Sequence, residues 1–169
     1  MLNESCVSVE SAADIGAMAT MGVMSEPERY IVESRYGNLT FEPSQIMTMA
    51  RGILGFPQLT QYGLTKLESQ QNSNLVLLQS LEDAAIGFPT IALDLKNTLI
   101  AEQDLLEVYE ANGIKPEDGA ILCILTIRQE AGNTVVTANL RAPIFIDTSR
   151  KMAWQVVLGN QSYPIRHQI

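Results

Sequence analysis

From residue 29 to its end, the chain is dominated by side chains that alternate at a period of two, and this pattern limits its fold more than any motif does. Tyr30, Val32, Ser34 and Tyr36 share one face of such a segment, with Glu33 and Arg35 on the other, as in a strand with one covered face. Gly37-Asn38 tolerates positive φ, so Leu39-Thr40-Phe41 reads as the returning strand of a hairpin. Leu75, Leu77 and Leu81 alternate with polar or smaller neighbours in another strand. Gly119 to Ile127 is nearly continuous apolar sequence, the pattern of a strand covered on both faces. Ala131-Gly132-Asn133 turns it back into Thr134 to Leu140, and Met152, Trp154, Val156 and Leu158 make a further one-sided strand. One segment departs from the rhythm. Leu105, Val108, Tyr109 and Asn112 recur at helical spacing, Glu102 and Asp104 sit where a helix N-terminus favours acids, and Gly113 follows as a cap. The expected fold is mainly β, a single bent-sheet or β-barrel-like domain with one short amphipathic helix at about 102–112. No period of 20 to 50 residues repeats, which excludes a solenoid or propeller.

Residues 1–28 have a different composition. They are rich in Ala, Met, Ser and Gly and carry five acids and no base. Ala17 to Met24 is too short and too punctuated by glycine for an independent helix. The segment is expected to be a mobile tail, the alternative being that its methionines form an adaptable docking strip. The domain then spans 29–169. A chain of 169 residues buries roughly 70% of its unfolded surface, so it needs no disulfide or metal to fold. Cys123 lies within an apolar run and reads as a core thiol rather than a disulfide partner of Cys6. The first 28 residues lack the basic start of a secretory signal, which points to the cytoplasm, and Asn38-Leu39-Thr40 and Asn160-Gln161-Ser162 are then chance glycosylation tripeptides.

The residue types that catalysis usually needs are sparse. The sole histidine, His167, is near the C-terminus, and Arg51-Gly52-Ile53-Leu54-Gly55 lacks the lysine and helix of a phosphate loop. Glu82-Asp83 and Glu117-Asp118 are adjacent acids, better read as turn residues than as a proton-sharing pair. No enzymatic activity, cofactor or metal is expected. A net charge of −8 and few aromatics argue against a broad nucleic-acid surface. Nine acids against two lysines between Glu82 and Asp118 place the negative field in the middle of the chain. By subtraction, a protein-binding module is the leading class, and a basic partner suits its charge.

The C-terminal third carries a distinctive series. Asn139-Leu140-Arg141-Ala142-Pro143-Ile144 is followed by Gln155-Val156-Val157-Leu158 and, near the end, Tyr163-Pro164-Ile165-Arg166-His167. Upstream come Tyr36-Gly37, Gly52-Ile53-Leu54-Gly55-Phe56, Leu78 to Asp83, and Gly87-Phe88. In this order, over about Tyr30 to Ile169, the series resembles the flagellar assembly factor family, FliW. Two departures stand out: Leu54 replaces a common proline, and the first 28 residues exceed the usual family start. The resemblance implies a monomeric, cytoplasmic, β-barrel-like protein without catalysis, and two partners. One is CsrA, a small basic dimer that binds RNA and represses flagellin translation, which the factor would antagonise, the family favouring a non-competitive mode. The other is unassembled flagellin, which would capture the factor. Two alternatives stay open: a flagellin chaperone without a regulatory role, and a small-ligand-binding β-barrel enzyme.

Gln79, Glu82, Asp83 and Phe88 are the first candidates to face CsrA, because an acidic turn beside an aromatic combines steering with an anchor. Phe56 is the second. Asn139 and Pro143 are expected to set a turn around Arg141, and Trp154 to pack in the core. Tyr163 is expected to clamp the C-terminal end onto the barrel, and Arg166 to be available for a carboxylate.

Overall fold

The computed structural model describes residues 28–66, 74–95 and 99–169; the expected tail, Cys6 and the methionine strip lie outside these, apart from Glu28. Among the described residues, eleven strands and one α-helix are ordered as β1 (Tyr30–Ser34), β2 (Gly37–Phe41), β3 (Ile46–Met49), β4 (Gln61–Thr65), β5 (Leu75–Ser80), β6 (Gly87–Ala92), α1 (Glu102–Asn112), β7 (Gly119–Glu130), β8 (Asn133–Ala138), β9 (Ile144–Asp147), β10 (Met152–Gln155) and β11 (His167–Gln168). The neighbour order β7-β6-β5-β4-β3-β10-β9 closes on itself because β9 pairs with the first half of β7. The result is a seven-stranded barrel. The second half of β7 continues out of it and pairs with β8, which in turn carries β11.

Two apolar layers follow from the alternation. Met47, Met49, Tyr62, Leu78, Leu122, Ile144, Ile146 and Ala153 fill the barrel. Ile121, Cys123, Leu125 and Phe145, from the opposite faces of the same strands, join Leu105, Val108 and Tyr109 of α1 in an outer layer. Tyr109 meets Phe145 edge-on at 5.9 Å between ring centroids. Burial pushes the Cys123 thiol up to about 12, so it packs as an inert apolar group. The β1–β2 hairpin forms its own sheet, outside the barrel ladder.

The helix begins and ends as its sequence predicts. Gly113 adopts the left-handed conformation at φ 63°, and Leu105, Val108 and Tyr109 are its buried residues. Arg150 closes its C-terminus by donating to the carbonyls of Asn112 and Gly113 at 3.0 and 3.1 Å. Asp147, almost fully buried, holds that arginine at 2.6 Å and accepts the Arg150 backbone N–H and the Ser149 hydroxyl. These bonds, the backbone one first, outweigh burial and lower the Asp147 carboxyl from its usual 3.8 to about 2. A carboxylate depressed in the folded state stabilises fully above its unfolded value and loses that contribution as pH falls through the folded one. Melting temperature should therefore drop between pH 4 and 2, and Asp147→Asn should flatten that acid limb; an equally steep limb in the variant would contradict the assignment.

Three strand readings need correction. The first hairpin turns at Arg35-Tyr36, because Ser34 Oγ accepts the Tyr36 N–H and donates to the Gly37 carbonyl; Gly37, at φ 105°, already opens β2. The second turns at Ala131-Gly132 alone, both with positive φ, so Asn133 pairs with Glu130 and the strand stops at Ala138. The last is not one-sided. It ends at Gln155, with Ala153 fully buried among the barrel residues and Trp154 half-buried against the outer layer.

Candidate functional site

Phe56 and Phe88 stand 32 positions apart in the sequence, yet their rings meet edge-on with centroids 5.8 Å apart. Two short segments bring them together. Residues 52–57 form a tight loop in which Gly52 and Gly55 take φ of 65° and 92° and the Phe56 N–H donates to Ile53 O at 2.7 Å. Phe88 enters β6 just after the turn at 81–86. Glu82 ties the turn to the start of β4, its carboxylate accepting the N–H groups of Thr60 and Gln61. It also lies close enough to Tyr62 to reinforce the effect of burial, which pushes that phenol up to about 12.

The turn is built on its own side chains. Ser80 Oγ accepts the N–H groups of Glu82 and Asp83, and Asp83 Oδ1 accepts that of Ala85 at 2.9 Å. Gln79 is 0% exposed beneath it, donating through Nε2 to the carbonyls of Ser80, Ala84 and Ile86 at 2.9 to 3.2 Å. Its expected place on the partner-facing surface is therefore corrected: the amide is buried where it meets inward-turned carbonyls of the turn, of which Ile86 O also accepts the Ser80 N–H. Glu82, Asp83, Phe56 and Phe88 do reach the surface, the two acids exposed and the two rings half-buried.

Beside the ring pair opens a cavity of about 430 Å³, lined by Arg35, Tyr36, Phe56, Ile86, Phe88 and Ile127 among others. Arg35 and Tyr36 come from the tip of the β1–β2 hairpin. The Arg35 guanidinium donates to Gly87 O at 3.1 Å and to the Tyr36 hydroxyl, and lies 4.8 Å from the centre of that ring. Neither residue, nor Ile127, was a candidate from the sequence; the landmark Tyr36-Gly37 was the only signal available.

The other candidates sit in the frame. Asn139 Oδ1 accepts the N–H groups of Arg141 and Ala142, and Pro143, fully buried, accepts the Val156 N–H. Trp154 lies under the Arg150 guanidinium at 5.5 Å. The Tyr163 hydroxyl accepts the Ala101 N–H at the start of α1 and bonds the Asp104 carboxylate, pinning the C-terminal segment to the helix. Arg166 is exposed and makes no ion pair among the described residues.

The chain is thus a seven-stranded barrel with an outer helix, an aromatic pair at its surface and an acidic turn beside it. Comparison with known proteins is more specific. The family model described as FliW protein matches residues 30–169. The chain is 37% identical over 142 residues to the flagellar assembly factor FliW of Syntrophus aciditrophicus (strain SB), covering 82% of this chain and 86% of that one. It is 30% identical over 148 residues to that of Geobacillus sp. (strain WCH70), covering 82% and 94%. A crystal structure of a flagellar assembly factor FliW superposes with a TM-score of 0.63 at 28% identity, covering 82% of this chain and 95% of that one. The chain belongs to the FliW family of flagellar assembly factors. Among the described residues, no helix is long and apolar enough to cross a membrane.

Proposed function

We propose that this protein acts in the cytoplasm as a non-enzymatic antagonist of CsrA, relieving repression of flagellin translation until unassembled flagellin captures it. Family membership supports the flagellar role, and the observation that carries the partner surface is the Phe56–Phe88 pair beside Glu82 and Asp83. Exposed carboxylates speed encounter with a basic protein, while half-buried rings supply the apolar anchor that slows its departure. The two carboxylates also bond backbone N–H groups of β4 and of their own turn, which favours a surface formed before the partner arrives.

Purified protein mixed with CsrA of the same organism should co-elute on size exclusion, and unassembled flagellin should displace CsrA; two separate peaks would refute the first step. Phe56→Ala combined with Phe88→Ala should weaken the complex by about 30-fold, roughly 2 kcal/mol, mostly through faster dissociation. The charge is best tested by Glu82→Gln with Asp83→Asn, which keeps the acceptor oxygens the turn uses. That variant should associate more slowly and with less dependence on salt, whereas unchanged kinetics would place the acidic contact elsewhere.

A further inference from the structure

The barrel seam between β6 and β7 is unfinished. Its last ladder pair is Thr90 with Ile124. The next residue on β6 is Pro89, which has no N–H to offer the strand beside it. Strand β7 nevertheless continues for six residues, to Glu130. Its backbone alternation can be followed from both sides. Leu93 N–H donates to Ile121 O across the β6 side, and Asn139 N–H donates to Ile124 O across the other. Glu130 and Asn133 face each other across the two-residue turn, so the even-numbered residues of this half bond to β8. Ile127 and Gln129 therefore turn their N–H and C=O groups toward the β6 side, where no strand among the described residues pairs with them. The facing carbonyl on β6, that of Gly87, is taken by Arg35.

The two cavities beside this edge are lined mainly by apolar residues, with Arg35 the one charged residue among them. The 430 Å³ cavity and a second of about 320 Å³, lined by Leu75 and Val136 among others, adjoin at Tyr36, Pro89, Leu125 and Ile127. Ile127 is 55% exposed. Arg35 has no carboxylate partner among the described residues. A free backbone edge attracts a strand, pockets to either side suit apolar side chains at alternate positions, and an unneutralised guanidinium suits a carboxylate. We infer that the free edge of β7 at Ile127 and Gln129 accepts an extended segment of a partner polypeptide, whose apolar side chains pack beside Tyr36 and whose carboxylate meets Arg35. The inference stands on the seam itself and holds whether or not CsrA is a partner.

The probe is the synthetic peptide acetyl-Asp-Val-Thr-Val-Thr-Val-amide, titrated into the isotopically labelled full chain. Amide resonances of Ile127 and Gln129 should shift at millimolar peptide, and their hydrogen exchange should slow by about tenfold at saturation. Methylating alternate backbone nitrogens of the peptide should weaken binding by about tenfold, and replacing its Asp with Asn by about threefold. Gln129→Pro, which removes an outward N–H and keeps the backbone bonds to β8 but loses the side-chain bond to Thr134, should weaken binding comparably; its melting temperature checks the fold, Gln129→Ala controls for the lost side-chain bond, and the peptide variants leave the protein untouched. Absence of shifts along β7, or equal binding of the methylated peptide, would overturn the inference.

Discussion

Replacing Gly52 with alanine is expected to destabilise the protein by roughly 2–5 kcal/mol and to pull Phe56 away from Phe88. Two costs add. Gly52 sits at φ 65°, a conformation that costs a residue with a β-carbon about 1–2 kcal/mol. The added carbon would also lie 2.5 Å from Phe56 O and 2.7 Å from Pro57 Cα, and these are backbone atoms that cannot rotate aside. Overpacking of that kind costs about 1–3 kcal/mol more. Gly55, in the same loop at φ 92°, separates the terms, because a β-carbon there would meet nothing within 4 Å. Gly55→Ala should therefore lose only the conformational part. Urea unfolding at constant slope measures both variants. Equal midpoints for the two would show that the steric term is absent and that the loop opens freely.

That loop shows where the sequence is informative. The Gly-rich segment announces a turn, but nothing local says that its aromatic ring will face one 32 positions further on. Helix α1 is legible to the residue because its determinants, an apolar stripe, two early acids and Gly113, all lie within twelve positions. Strands β3 and β4, of four and five residues, are not. Their pattern is too short to stand out, and β3 is held partly by parallel pairing with β10, about 100 residues away. The first turn was displaced by two residues because a side chain, Ser34, decided it against the glycine signal. Gln79 reads as a surface residue because it adjoins the acidic turn Glu82-Asp83, and nothing in the sequence announces the carbonyls of Ser80, Ala84 and Ile86 that its buried amide meets. Closure of the barrel, and the seam it leaves open after Pro89, are properties of pairing between distant strands that periodicity within one strand cannot reveal.

Phe41→Ala should have an effect of similar size, about 3–5 kcal/mol, but spread differently over the molecule. The ring is 0% exposed and lies flat on β4 at Gly63, so close that a β-carbon on that glycine would come within 2.4 Å of it. A two-stranded ribbon has little stability of its own. Among the described residues no ladder joins β1–β2 to the barrel, so side-chain contacts hold it there, Phe41, Val32 and the Arg35 bond to Gly87 among them. Losing the largest of these should detach the hairpin before the barrel melts. Hydrogen exchange should then accelerate across β1 and β2 while the barrel strands keep most of their protection. Detachment would also withdraw Arg35 and Tyr36 from the seam, so the variant should lose peptide pairing at β7 even under conditions where the barrel stays folded. Uniform loss of protection across β1–β10 would instead make the hairpin an integral part of the cooperative core, and the tip a fixed wall of the groove rather than a separable one.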